Sequence, residues 1–213
     1  MNFFKNLFKT ENKKEHKGAF FGATEYELRN LLCGVGKSSI NISTIHITEY
    51  PFKPSIAYPE KLIAVDLIDA VCLDSYPPFL KIGNEAIFIS RERFPELEDF
   101  VERNQISTFQ QTNNWAWILE PYLDTEYTDE THKNLIGLLS KNGITEVEIN
   151  TIRAEVKDQM YKYNFDTMLW EWGGLGLSDV LAAMKVKYNE EQFKDFYERA
   201  MEIELRENKS TRA

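Results

Sequence analysis

"FLKIGNEAIFIS" (residues 79–90) decides the class of this chain, because two apolar runs rich in strand-forming residues meet there at Gly83-Asn84. Glycine first and asparagine second suit a type II′ hairpin, whose first central residue must take a positive φ. Just downstream, "FPELEDFVERN" (94–104) spaces Leu97, Phe100 and Val101 at helical intervals, with Pro95 tolerated in the first turn. Upstream, "SSINISTIHITEY" (38–50) places Ile40 and Ile42, then Ile45 and Ile47, at strand spacing. The three prolines of "EYPFKPSIAYPEK" (49–61) favour extended or loop backbone. "KLIAVDLIDAVCLD" (61–74) is broken by Asp66 and Asp69, reads as strand or helix, and is taken as strand.

Strands, a hairpin and a closing amphipathic helix thus succeed one another over about 65 residues. On "LIDAVCLDSYPPFLKIGNEAIFISRERFPELEDFVERN" (67–104) this pattern resembles the pleckstrin-homology-like domains found in bacterial proteins of unknown function. Such domains are scaffolds for protein or lipid contacts, so the resemblance implies a binding role more than catalysis. The stretch carries no cluster of basic residues of the kind that holds phosphoinositide headgroups.

From about residue 115 onward the chain reads as helix. "NWAWILEPYL" (114–123) is an aromatic turn that Pro121 kinks or ends. Thr128 caps "DETHKNLIGLLSKN", and Gly143 with Ile144 makes a Schellman stop. Thr145 and Glu148 form a capping box for a helix in which Val147, Ile149, Ile152, Val156 and Met160 recur on one stripe. Ser178 starts "DVLAAMKVKY", and Asn189 with Gln192 caps the last helix. The expected fold is α+β: a basic amphipathic segment at 1–17, a PH-like β-rich unit at 18–106, and a helical region at 107–213 packed against it.

One stretch imitates a nucleotide-binding loop. In "CGVGKSS" (33–39) the position five before Gly36 is Leu31 rather than the glycine a P-loop requires. The order of elements is also reversed. A P-loop leads from strand into helix, whereas "ATEYELRNLLCG" (23–34) is a helix begun by Thr24, with Tyr26, Leu28, Leu31 and Leu32 on one face, and strand follows. Gly34 and Gly36 therefore turn a helix into a strand.

Other constellations fail on equally concrete grounds. "LIGLLSKNGITEVEINTIRAEV" (135–156) has the outline of a helix-turn-helix, but Glu146, Glu148 and Glu155 against Arg153 would repel phosphates. "LDTEYTDET" (123–131) is no EF-hand, since the sixth and twelfth positions from Asp124 are Asp129 and Leu135. His16, His46 and His132 form no spaced ligand set, Cys33 and Cys72 suggest neither disulfide nor zinc, and no G-x-S-x-G elbow occurs. Neither metal nor cofactor is expected.

The remaining signals are charge and tryptophan. Net charge is −9, divided into +3 over residues 1–17 and −12 over the rest. An acidic body disfavours nucleic acid and anionic membrane and suits a basic protein partner. No apolar run approaches a bilayer-spanning length and no signal-peptide core opens the chain, so a cytoplasmic location is expected. Phe3, Phe4, Leu7 and Phe8 lie on one face among lysines, too short an anchor for membrane contact to be expected. Trp115, Trp117, Trp170 and Trp172 form two W-x-W pairs, and Asp166 and Glu171 accompany the second. Aromatic walls with placed carboxylates are the makings of a ligand or partner site, and also of a helix junction. The function expected is non-catalytic protein interaction, an acidic immunity or inhibitor protein for a basic partner being its concrete form. The alternative is a small-molecule binder or enzyme with its pocket around Trp170 and Trp172.

Overall fold

The computed structural model describes residues 22–123, 126–167 and 174–207. Helix α1 (Glu25–Leu31) opens with a reciprocal cap: Glu27 N–H donates to Thr24 Oγ1, and Thr24 N–H donates to Glu27 Oε2. Its inward residues are Leu28 and Leu31, while Tyr26 and Leu32 are exposed. Gly34 and Gly36 then take φ of +65° and +79° and deliver the chain into strand, as their spacing predicts.

Strands β1 (Lys37–Ile40), β2 (Thr44–Thr48) and β3 (Lys61–Ala64) form one antiparallel sheet in that order. Ile45 and Ile47 point into the core, and Ile45 faces Ile63 across the pair. Ile42 does not continue the strand. It sits in the tight connection closed by Asn41 N–H donating to Thr44 O, and it is exposed.

Stretch 61–74 is not one strand. A single 3₁₀ turn at Val65–Leu67 breaks it, and β4 (Ala70–Cys72) starts a second antiparallel sheet with β5 (Phe79–Ile82) and β6 (Glu85–Phe88). The break moves the chain between sheets. Asp69 is then free to accept the Gly83 N–H at 2.6 Å, bracing the hairpin at the φ of +59° its turn demands. The hairpin register pairs Ile82 with Glu85 and Leu80 with Ile87, as the sequence predicts. Helix α2 (Phe94–Asn104) buries Leu97, Phe100 and Val101.

Among the described residues five helices follow: α3 (Asn114–Leu119), α4 (Asp129–Lys141), α5 (Glu146–Tyr161), α6 (Leu177–Lys187) and α7 (Glu190–Glu204), with a π-helical turn at Lys162–Asp166. Helix α4 ends in a Schellman pair, Gly143 N–H to Ser140 O and Ile144 N–H to Leu139 O. The box expected at α5 is only half made. Thr145 accepts the Glu148 N–H, but the Glu148 carboxylate turns to Arg206 at 2.9 Å, a stronger partner than a backbone amide. Val147, expected on the buried stripe, is exposed. Helix α6 starts before Ser178: Gly176 is its cap residue, and Asp179 accepts the Gly176 N–H at 2.7 Å.

One hydrophobic core runs through both sheets and the helices, so the fold is α+β with a shared interior. Phe52 lies between Tyr50, Phe88 and Tyr197, centroids 5.7–6.3 Å apart. Polar ties cross the same junction: Phe88 N–H donates to Tyr50 Oη, and Tyr197 Oη–H donates to Glu85 at 2.6 Å. Helix α1 seats on α6, and Ala23 N–H donates to Asp166 at 2.9 Å.

The two turn glycines give a paired prediction. A Cβ on Gly36 would stand 2.7 Å from Thr48 O, whereas one on Gly83 meets open space. Gly36→Ala is expected to lose about 2 kcal/mol in urea unfolding, against about 1 kcal/mol for Gly83→Ala, which meets the conformational penalty alone. Equal losses would show that the close approach at Gly36 carries no weight.

Candidate functional site

Trp115 is 1% exposed on α3, its indole N–H donating to Ala200 O at 2.9 Å and its ring tilted against Phe196. It is core. Trp117, two residues on, points elsewhere and is half-buried, its carbonyl accepting from Arg153 at 3.1 Å. Asp166 is half-buried and holds the entry to α1 through Ala23. Trp170, Glu171 and Trp172 lie outside the described residues, as does the basic segment 1–17.

Four segments of the described residues converge on a cleft of about 460 Å³, lined among others by Tyr76, Gln111, Asn113, Tyr163, Leu175 and Asp179. Tyr76 comes from the β4–β5 loop, Gln111 and Asn113 from the approach to α3, Tyr163 from the π-helical turn, and Asp179 from the first turn of α6. The π-helical turn matters because its extra residue per turn re-aims the side chains that follow α5. Asp179 accepts the Tyr163 hydroxyl at 2.6 Å on one oxygen and the Gly176 N–H on the other. Burial raises its pKa above the ordinary aspartate range, and those two hydrogen bonds offset the rise only in part. Burial and the adjacent carboxylate likewise push the Tyr163 phenol up. Asn113 holds φ at +57° beside the cleft, a conformation asparagine tolerates better than most residues. The sequence carried one usable sign of Asp179: an acid three residues after a glycine, at the position that caps a helix start.

A second concavity, about 680 Å³, runs between α7 and the β5–β6 hairpin. Ile56, Ile82, Met201 and Leu205 give it an apolar floor. Along α7, Glu191, Asp195, Glu198 and Glu202 recur at helical intervals and are all exposed. Glu202 is engaged with Arg206, and Lys194 stands 3.9 Å from Glu198.

Glu204, at the end of α7, is 2% exposed, with Oε1 accepting from Gln111 at 3.3 Å and Oε2 without a hydrogen-bond partner. Burial pushes its pKa up to about 7. The Cys72 thiol, buried and donating to Asp74 at 3.1 Å, is pushed up to about 12, which makes it a poor nucleophile at neutral pH. Among the described residues no three His, Cys, Asp or Glu side chains gather as a metal ion would require, and no helix is long and apolar enough to cross a membrane.

Comparison with protein-family models, curated proteins and solved structures finds no match for this chain.

Proposed function

We propose that this chain is a non-catalytic protein-interaction protein that takes a basic segment of a partner along α7. The observation that carries the reading is the pairing of an acidic stripe, Glu191, Asp195, Glu198 and Glu202, with the apolar-floored groove beside it. A basic amphipathic segment fits that pair, its apolar side chains in the groove and its lysines or arginines along the stripe. The −12 charge outside the first 17 residues extends the attraction and speeds encounter. Inhibition of a basic enzyme, as an immunity protein inhibits a toxin nuclease, is the concrete form of this role. The resemblance of residues 67–104 to PH-like scaffolds points the same way.

The test is capture from native lysate with the parent chain and with a variant carrying Glu191→Lys, Asp195→Lys and Glu198→Lys. The expected result is one basic protein retained by the parent chain, weakened by salt, and reduced roughly tenfold on the variant. Identical retention by both, or retention that salt leaves unchanged, would remove α7 as the docking face.

A further inference from the structure

We propose that the cleft between Tyr76, Tyr163 and Asp179 is a binding site for a small organic cation, an amine carried on an apolar body. This site is distinct from the α7 groove. Its volume falls in the range of small-molecule pockets, and its lining mixes apolar surface with a few convergent polar groups: the amides of Gln111 and Asn113, the Tyr163 phenol and the Asp179 carboxyl.

The charge pattern selects the ligand class. Among the described lining residues Asp179 is the one with a formal charge, and the Arg91 guanidinium at the mouth is engaged with the Tyr76 ring rather than with Asp179. A carboxylate enclosed without a cation lacks the partner that normally compensates its burial. Tyr163 and Gly176 each donate one hydrogen bond to it, yet each carboxylate oxygen can accept a second. Asp179 is half-buried and lines the cleft. An ammonium group is the complement, since it donates hydrogen bonds and carries the missing charge. An anion meets repulsion, and a neutral hydroxyl supplies only the hydrogen bond.

The aromatic walls act in the same direction. Tyr76 is 74% exposed at the mouth, and the Arg91 guanidinium already lies 4.3 Å from its ring centroid, so this ring is used for cation contact within the fold itself. Leu175 supplies apolar surface for the body of the ligand.

The test uses phenethylamine as probe and 2-phenylethanol as its neutral counterpart, titrated calorimetrically into the full chain at neutral pH. The amine is expected to bind at least about tenfold more tightly than the alcohol, and Asp179→Asn to remove that preference. Because Asp179 also caps α6, thermal unfolding of Asp179→Asn accompanies the titration. Tyr76→Ala, at an exposed position, is expected to weaken the amine several-fold with unfolding unchanged. Equal binding of amine and alcohol, no heat from the amine at about 10 mM, or full amine affinity in Tyr76→Ala and Asp179→Asn would each overturn the assignment.

Discussion

An Asn114→Ala variant is expected to unfold in urea with about 3 kcal/mol less stability than the parent chain, at an unchanged denaturant slope. Asn114 is fully buried at the first position of α3, and its amide joins three helix ends. Its Nδ2 donates to Ile203 O at 2.7 Å and to Arg206 O at 2.9 Å, tying the last turn of α7 and the residue just past its C-cap to α3. Its Oδ1 accepts from Asn142, the C-cap of α4, at 2.7 Å. Alanine removes both donations and the acceptor of the Asn142 amide at a fully buried position, leaves Ile203 O with only its long 3.4 Å bond from the Arg206 N–H, and opens a small void. Asn142→Ala supplies the control, because Asn142 is half-exposed and water can replace it, so about 1 kcal/mol is expected there. Equal losses from the two variants would show that Asn114 is no hub.

Glu204→Gln is expected to alter how stability depends on pH. Below pH 4.5 Glu204 is protonated in the folded and the unfolded chain alike and contributes no difference. Between about 4.5 and 7 the unfolded chain releases this proton while the folded chain keeps it, so stability falls as pH rises. Above about 7 the full penalty of the buried charge is present, on the order of 3 kcal/mol. Glutamine cannot ionise. Relative to the parent chain, the variant should therefore gain about 3 kcal/mol on going from pH 4 to pH 8, whatever its constant offset. Urea melts at the two pH values measure this directly, and parallel pH profiles for the two chains would rule out a strained carboxyl at Glu204.

What the sequence made legible was local. The Gly83-Asn84 turn, the Thr24, Thr128 and Asn189 caps and the Gly143 stop all lie within a few residues of the groups they satisfy, so spacing alone declares them. The split of residues 61–74 between two sheets was not legible, because both pieces carry the same apolar pattern and only distant partners distinguish them. Asn114 and Asp179 owe their roles to groups far along the chain, beyond the reach of any spacing rule. Glu204 was half legible: it continues the apolar face of Phe193, Phe196, Tyr197 and Ala200 on α7, which already marked it as an acid on the wrong side. Of the tryptophans, Trp115 reads in the structure as packing, with its one polar atom spent on α7.

The seating of α1 on α6 has a consequence for biosynthesis. Leu31 is 2% exposed, and the contacts that cover its helix come from residues some 140 positions later, as in the bond from Ala23 to Asp166 and the ion pair of Glu27 with Lys162. On a translating ribosome the two hairpins can zip as they emerge, but α1, only seven residues long, finds its seat after most of the chain has been made. Helix α1, made early, is thus among the last elements to be secured, and a nascent chain stalled before α6 would display it bare to chaperones and proteases.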